Sequence, residues 1–520
     1  MKQPPMDPGM ARALRSNGVL NLVGLGASFL ASAWMVRSMD PGSYAQLGVV
    51  SAMVGVVGFV AEAGGNAGFS RFYREAESRG FASGFYSGML RRRLRAGLFA
   101  ALLVALLGPW YARWTGFVEL RDSPWLFAGV GALCGTTLGK WLPHYGLMAM
   151  LEPGTALGLQ HGFMVLRSVC SGFAGAAGAG VGGILGIWLG VALVEAWCFH
   201  RKFTARLPRD SAALSSGFVG EVVQYGLHST LDKACAMLGG GSVLVLFFAA
   251  RYGTGNPAAD LAYVALGYEV TGKILGLTVM PMANLVTPYL SRVAADPVES
   301  ARAAGGVCSL SAFLYALSIG GAFVLTPLLL PLFYGQRMEP ASAMVQLILV
   351  PMALEAWARG VVSPVLLRNG EPGALFRLNA GQLLATVGSV WATWNTGLEE
   401  AVLWIGSVRG GVALCGLIWL RKHLVSGTLR RVAWIAAGTG LAAVAAEWIR
   451  RDAILGRWGG ALAFAGLSAA GIGTLLGLDT ELRNLVARLF RGVAGVGMQR
   501  WRVGFKKGGR RGGFGCKNQA

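Results

Sequence analysis

Charge is what this sequence is short of. Only 14% of its 520 residues are charged, against 54% that are hydrophobic. Soluble domains carry about 25% charged residues, so a water-exposed surface of ordinary extent cannot be built from this chain. Acids are the scarcer sign, 25 Asp and Glu against 46 Lys and Arg. Histidine is nearly absent: of five, His144, His161 and His228 fall in or near apolar stretches, far apart in sequence, and read as packed or cavity-lining side chains rather than metal ligands. The cysteines are Cys134, Cys170, Cys198, Cys235, Cys308, Cys415 and Cys516. No pair has metal-ligand spacing and no outside loop carries two, which argues against a disulfide framework, and the six in apolar stretches read as small core residues. Enzyme signatures are missing too. There is no His-Glu-x-x-His helix, no phosphate-cradling Gly-Lys-Ser/Thr loop and no nucleophile elbow. The sequence therefore carries no expectation of a catalytic residue, a metal or a cofactor.

What fills the chain instead is hydrocarbon. A bilayer core of about 30 Å takes roughly 20 apolar residues per helix, and such stretches recur from Val19 to Leu478. They predict an all-α polytopic membrane protein with spans near 18–37, 43–64, 95–114, 125–147, 155–177, 181–199, 218–249, 261–289, 305–331, 343–367, 373–395, 400–420, 432–449 and 459–478. The 78 glycines suit helices that approach closely in lipid; Gly182, Gly186 and Gly190, four apart, predict a packing face. The basic start (Arg12, Arg15) before a long apolar run reads as an uncleaved first helix rather than a leader.

A net charge of +21 would suggest nucleic acid in a soluble protein. Here the distribution of the cations gives another reading. Of 46 Lys and Arg, 32 fall in segments on the N-terminal side of the membrane, eight in the opposite loops and six within spans. The positive-inside rule then places both termini in the cytoplasm, although Arg450, Arg451 and Arg457 lie in the last outside loop. The richest inside loops are Arg71–Arg95, with Arg91, Arg92 and Arg93 in a row, and His200–Arg209. After Asp479 an amphipathic stretch (Leu482, Leu485, Leu489 and Phe490 against Arg483, Arg488 and Arg491) predicts an interfacial helix. The basic, glycine-rich tail beyond it suits anionic membrane lipids.

Six cations lie inside spans: Lys140, Arg167, Lys233, Lys273, Arg359 and Arg409. Three acids lie at comparable depth: Asp232, Glu269 and Glu355. A charge at the bilayer centre costs at least about 2.5–3.5 kcal/mol, so these residues need partners or a hydrated cavity. Glu269 with Lys273, and Glu355 with Arg359, are four apart and can neutralise each other on one helix face. Lys140, near a span end, can snorkel. Arg167 and Arg409 sit mid-span without a carboxylate on their own face. A cavity with this positive excess suits an anionic group such as a pyrophosphate.

Two segments repeat faintly, Arg37–Tyr44 after span 1 and Arg251–Tyr263 after span 7. The expected organisation is an N-tail (1–17), an N-lobe (18–200), a basic linker (201–217), a C-lobe (218–420), two further spans (430–478) and an interfacial helix with its tail (479–520). Duplicated halves with a site at their interface are a frequent transporter plan.

Several motifs carry a family likeness: Val36-Arg-Ser-Met-Asp-Pro-Gly-Ser-Tyr44, Gly65-Asn-Ala-Gly-Phe-Ser-Arg-Phe-Tyr73, Pro288-Tyr-Leu-Ser-Arg292, Leu330-Pro-Leu-Phe-Tyr-Gly335 and Leu366-Leu-Arg-Asn-Gly370. Over roughly 11–480 the chain resembles the bacterial oligosaccharide flippases, the polysaccharide transporters of the multidrug/oligosaccharidyl-lipid/polysaccharide exporter superfamily. The resemblance implies two six-helix lobes that open alternately to each side of the cytoplasmic (inner) membrane. It implies as cargo a lipid-linked oligosaccharide, often on undecaprenyl pyrophosphate, and as possible partners a polysaccharide polymerase and export machinery. Span 7 of relatives often carries an acid near its outer end, where this chain has Gly239-Gly-Gly-Ser242. On this reading Arg167, Arg359 and Arg409 contact the diphosphate, with Lys233, Lys273 and Lys140 in support, and Glu269, Glu355 and Asp232 are candidates for ion coupling. A peptidoglycan lipid-precursor flippase or a multidrug/cation antiporter of the same superfamily is the alternative. A membrane glycosyltransferase, polymerase or ligase is disfavoured by outside loops of about three to eleven residues. A purely structural scaffold leaves the deep cations unexplained.

Overall fold

The computed structural model describes residues 8–62, 65–115, 117–150, 152–208, 217–218, 220–222, 237, 240–253, 258–292, 297–368, 371–424, 426–451 and 464–468. Among these residues the protein is helical throughout, with no strand and fourteen long helices. They run α1 (Pro8–Arg37), α2 (Pro41–Glu62), α3 (Gly65–Ser78), α4 (Ala82–Thr115), the short α5 (Val118–Asp122), α6 (Leu126–Ala149), α7 (Pro153–Ala176) and α8 (Val181–Thr204). Then follow α9 (Gly241–Tyr252), α10 (Ala258–Arg292), α11 (Pro297–Tyr334), α12 (Ala341–Arg368), α13 (Pro372–Ala392), α14 (Leu398–Leu420) and α15 (Thr428–Arg451).

The punctuation is local chemistry. Pro41, Pro153, Pro297 and Pro372 each open a helix, where the missing N–H has no intrahelical partner to lose. Gly178 follows α7 with φ of 75° and Gly335 follows α11 with φ of 90°, left-handed geometry that glycine adopts without a Cβ penalty. Prolines also lie inside α4, α6, α11 and α12, as membrane helices allow when neighbours satisfy the freed carbonyls.

Seven described helices are long and apolar enough to cross a membrane, α2, α4, α8, α11, α12, α14 and α15 among them. Part of the shortfall from fourteen predicted spans has a physical cause. Helices α6, α7, α10 and α13 lie outside that set, and each buries or half-buries polar residues, Lys140 and His144, His161 and Arg167, Glu269 and Lys273, and Asn379 and Gln382 respectively. Most of predicted spans 7 and 14, the interfacial helix and the tail lie outside the described residues, as do Asp232, Lys233 and His228. The predicted loop Arg71–Arg95 is instead helical: α3 occupies part of it and α4 begins at Ala82, so Arg91–Arg95 sit on a helix and Arg93 is buried.

Contacts divide the chain into two units, residues 1–291 with 322–420, and residues 292–321 with 421–520. In the first, one continuous core draws on α1, α2, α4, α6, α8, α9, α10, α12 and α14. Met39, Phe117, Val181, Tyr252, Met338 and Leu398 all belong to it. These residues lie in or beside the six short connections, so residues before 200 and after 240 share a core at that end. A second core, of Phe69, Tyr73, Phe85, Phe199, Phe203 and their neighbours, draws its described members only from residues 69–222. Helices α4 and α6 cross where a Cβ on Gly97 would lie 3.2 Å from Gly135 Cα and one on Gly131 would lie 2.5 Å from the Ala101 carbonyl oxygen. Those glycines make the packing face. Gly186 and Gly190, expected to do so, meet no described atom where a Cβ would stand, because α8 turns Ile184, Trp188, Ala192, Glu195 and Phe199 inward instead. In the second unit the N-terminal part of α11 packs on α15 and on Phe464, with Gly320 against Phe464 and Thr439 and Gly305 against Thr428.

Candidate functional site

The described sequence-predicted intramembrane charges of the first unit fall in three clusters. In the first, Lys140 on α6 reaches Glu195 on α8, with Nζ 2.8 Å from Oε2 and side chains only 13% and 7% exposed. Lys140 therefore does not snorkel; it is paired inside the protein. Glu195 was missing from the acids picked out by sequence, since it lies near the end of its apolar stretch and pairs across 55 residues. On α7, Arg167 stacks its guanidinium 5.0 Å over the Trp188 ring. Ser171 fixes that ring by accepting from Trp188 Nε1 at 2.9 Å while donating to the Arg167 carbonyl at 2.7 Å. Arg167 lies within electrostatic range of Glu195 and Glu269 but has no ion pair with a described residue. His144 packs edge-on against Trp141, Tyr145 and Phe199, and no cluster of metal-ligating side chains exists among the described residues.

The second cluster crosses between α10 and the first two helices. Lys273 and Glu269 pair at 2.5 Å across one helical turn. Glu269 also accepts from the Tyr44 hydroxyl of α2 at 2.5 Å, and Lys273 donates to the Ser32 hydroxyl of α1.

The third cluster joins α12, α13 and α14. Arg409 holds Glu355 with two charge-assisted bonds, Nε to Oε2 at 3.0 Å and Nη2 to Oε1 at 2.5 Å, and its Nη1 reaches Thr386 Oγ1 at 3.2 Å. Arg409 thus has the carboxylate that the sequence did not assign to it. Arg359 shares the same Glu355 more loosely, at 3.2 Å. It also donates to Gln382 Oε1 through Nε at 3.1 Å and through Nη2. Gln382 in turn donates to the Arg409 carbonyl at 3.3 Å. Two guanidiniums on one carboxylate leave the group with a net positive charge.

Beside this cluster lies a cavity of about 290 Å³ lined by Glu355, Arg359, Arg409, Tyr268 and the pair Gly240-Gly241. A Cβ on Gly241 would stand 2.8 Å from the Tyr268 ring. The glycine run thus opens the cavity at the segment where the resembled family often carries an acid. The described cations do not converge on a single cavity: Arg359 and Arg409 line this one, while Lys140, Arg167 and Lys273 belong to the other two clusters.

Two helix openings repeat along the chain. Glu152-Pro153-Gly154 and Glu371-Pro372-Gly373 open α7 and α13, and their leading glutamates share backbone angles, φ −109° and ψ 55° against φ −108° and ψ 53°. Lys140 and Arg359 each lie twelve residues before that glutamate. In the first half a base on α6 meets an acid on α8; in the second an acid on α12 meets a base on α14.

No protein-family model matches the sequence, and neither does any curated protein. Solved structures do match. The lipid II flippase MurJ in an inward closed conformation aligns with a TM-score of 0.64 at 12% identity, over 92% of this chain and 98% of that one. An inward-facing multidrug resistance MATE family transporter of the MOP superfamily aligns with a TM-score of 0.60 at 16% identity, over 81% of this chain and 99% of that one. A MOP superfamily transporter from Pyrococcus furiosus, described as having a binding pocket of reverse polarity, aligns with a TM-score of 0.51 at 16% identity, over 81% and 96%. This chain therefore has the fold of the MOP-superfamily transporters.

Proposed function

We propose that the protein is a flippase that moves a polyprenyl-pyrophosphate-linked oligosaccharide across the cytoplasmic membrane by alternating access, for cell-surface polysaccharide biosynthesis. The observation that carries this reading is the arginine pair on Glu355 beside an open cavity, in a fold shared with transporters. Unpaired polar groups cost several kcal/mol each in hydrocarbon, so a sugar diphosphate needs a polar path. A site with two arginines and one carboxylate favours an anion over a cation, and guanidinium grips phosphate oxygens bidentately. Within the site the roles divide. Arg409, 6% exposed and doubly bonded to Glu355, is the positioning residue; Arg359, 26% exposed and farther from that carboxylate, is the one that exchanges Glu355 for a phosphate. Arg167, with an aromatic rather than an acidic partner, supplies a second station for the same charge.

Reconstitution tests this. Full-length protein in liposomes should render a fluorescently labelled polyprenyl-pyrophosphate oligosaccharide accessible to a membrane-impermeant quencher, and Arg359→Gln should slow the exchange at least tenfold. Transport of a lipophilic cation with no movement of the labelled lipid would replace this reading by the antiporter. A second reading, flipping of a peptidoglycan lipid precursor, is favoured by the alignment with MurJ, which extends over 92% of the chain where MATE structures cover 81–83%. The same assay with that lipid as competitor separates the two.

A further inference from the structure

Away from the three charge clusters, a groove of about 490 Å³ runs between α2 and α4, with Val222 also in its lining. Its walls include Val57, Val60, Phe99 and Leu103. Val60, Phe99 and Leu103 are 64%, 69% and 42% exposed, and Leu98, Leu102 and Leu106 beside them on α4 are exposed as well. In a polytopic membrane protein such a face meets hydrocarbon. One end of the groove is different in kind: it is lined by Glu62, Arg92 and Arg93.

Arg93 is the informative residue. It is 3% exposed, yet its guanidinium donates only to neutral oxygens, Asn66 Oδ1 and, at 3.4 Å, the Leu138 carbonyl. Glu62 is close enough to act on it electrostatically but forms no ion pair with it. A buried cation against neutral dipoles lacks a counter-charge. Arg92 is exposed and has no hydrogen bond or ion pair to a described residue. Two guanidiniums against one carboxylate leave this end positive. It also stands at the right depth, since Arg91–Arg95 immediately precede the apolar run of α4, where lipid headgroups lie.

We propose that this groove is a binding site for an anionic glycerophospholipid, its phosphate between Arg92 and Arg93 and one acyl chain along Val57, Val60, Phe99 and Leu103. The positive end at headgroup depth, continuous with the exposed apolar face of α4, fits an anionic phospholipid, the bulk anionic lipid of a bilayer. The site is distinct from the cavity at Glu355 and independent of what the protein transports.

The test uses the full chain purified in neutral detergent and titrated with phosphatidylglycerol or phosphatidylcholine of matched acyl chains, with bound lipid counted by native mass spectrometry. Phosphatidylglycerol should bind more tightly, and Arg92→Gln should lower that preference about fivefold, the share of one arginine near a headgroup. Arg92 is exposed, so the variant keeps its fold. Arg91→Gln, on the same turn but outside the groove, should leave the preference unchanged. Ala96→Phe, which fills the groove from its lining, should remove the tightly bound lipid while a thermal melt stays within a few degrees of wild type. Equal binding of the two lipids overturns the proposal, as does an equal effect of Arg91→Gln and Arg92→Gln or retention of the lipid in Ala96→Phe. Displacement of phosphatidylglycerol by a polyprenyl pyrophosphate in an Arg92-dependent manner also overturns it, in favour of the transported lipid as occupant.

Discussion

Removing one carboxylate should reveal how the three charges around Glu355 share their energy. In Glu355→Gln, Arg409 loses two charge-assisted bonds, at 3.0 and 2.5 Å, while 6% exposed, and Arg359 loses one at 3.2 Å while 26% exposed. Breaking a buried pair by deleting one partner destabilises by about 3–5 kcal/mol, because the remaining charge stays buried. Two cations are stranded here, so Glu355→Gln should fall in that range. Arg409→Gln should cost less, about 2–3 kcal/mol, since Glu355 keeps Arg359 as a partner. Arg359→Gln removes a long, partly solvated ion pair together with the bonds to Gln382 and should cost about 1–2 kcal/mol, less than Arg409→Gln. The hydrophobic double variant Glu355→Leu/Arg409→Met should recover most of the loss. Equilibrium unfolding in mixed micelles, run as a double-mutant cycle, gives each figure. The reasoning fails if Arg359→Gln costs as much as Arg409→Gln, or if Glu355→Gln costs under ~1 kcal/mol.

The other clusters give parallel expectations. Glu195→Gln should destabilise by about 3 kcal/mol by stranding Lys140, and Lys140→Met/Glu195→Leu should restore most of it, read by the same unfolding assay. Tyr44→Phe deletes a bond to a charged acceptor worth about 1.5–3 kcal/mol; spin-label distances between α2 and α10 near the short connections should lengthen or broaden. Gly241→Val should abolish lipid exchange in liposomes with normal expression, since its Cβ stands 2.8 Å from the Tyr268 ring, and Tyr268→Ala in the same chain should restore part of it.

The all-helical membrane architecture was legible because hydropathy over some 20 residues is set by the bilayer and not by tertiary context. The ion pairs Glu269–Lys273 and Glu355–Arg359 were legible for a related reason: four-residue spacing fixes proximity on any helix. Lys140–Glu195 and Glu355–Arg409 were not, because their partners stand 55 and 54 residues apart on different helices and single-helix periodicity carries no such information. One signal did exist. The two Glu-Pro-Gly openings of α7 and α13 set the halves in register and place Lys140 opposite Arg359, which would have directed a search for acids to α8 and α14 together. The burial of Arg93 was hidden for a different reason. A run of arginines beside a span reads as a solvated anchor, and only the approach of Asn66 and the Leu138 carbonyl shows that one of them faces inward.

The distribution of strong and weak contacts bears on how the two lobes proposed from the sequence, residues before 200 and after 217, would move. Within the first half α6 and α8 are tied by a buried ion pair, and within the second α12 and α14 by a bidentate one. Neither pair need change if each half moves as a body. The polar contacts that cross between the halves are of another kind. Tyr44 donates to Glu269 and Lys273 to Ser32, each joining a charged group to a neutral hydroxyl, and Arg251 holds only the Trp394 carbonyl, within its own half. Glu269 and Lys273 retain each other at 2.5 Å when the hydroxyls leave, so separating the halves strands no buried charge. Among the described residues, the cost of opening the end at the short connections includes the hydroxyl bonds Tyr44 to Glu269, Lys273 to Ser32 and Tyr111 to the Leu246 carbonyl at 2.7 Å, plus the apolar core around Met39, Tyr252 and Met338. The cost of distorting either half includes a broken buried ion pair. On the proposed alternating-access reading the α6–α8 and α12–α14 ion pairs stay intact, so disulfide cross-links between α6 and α8 should leave transport intact while a cross-link between α2 and α10 arrests it.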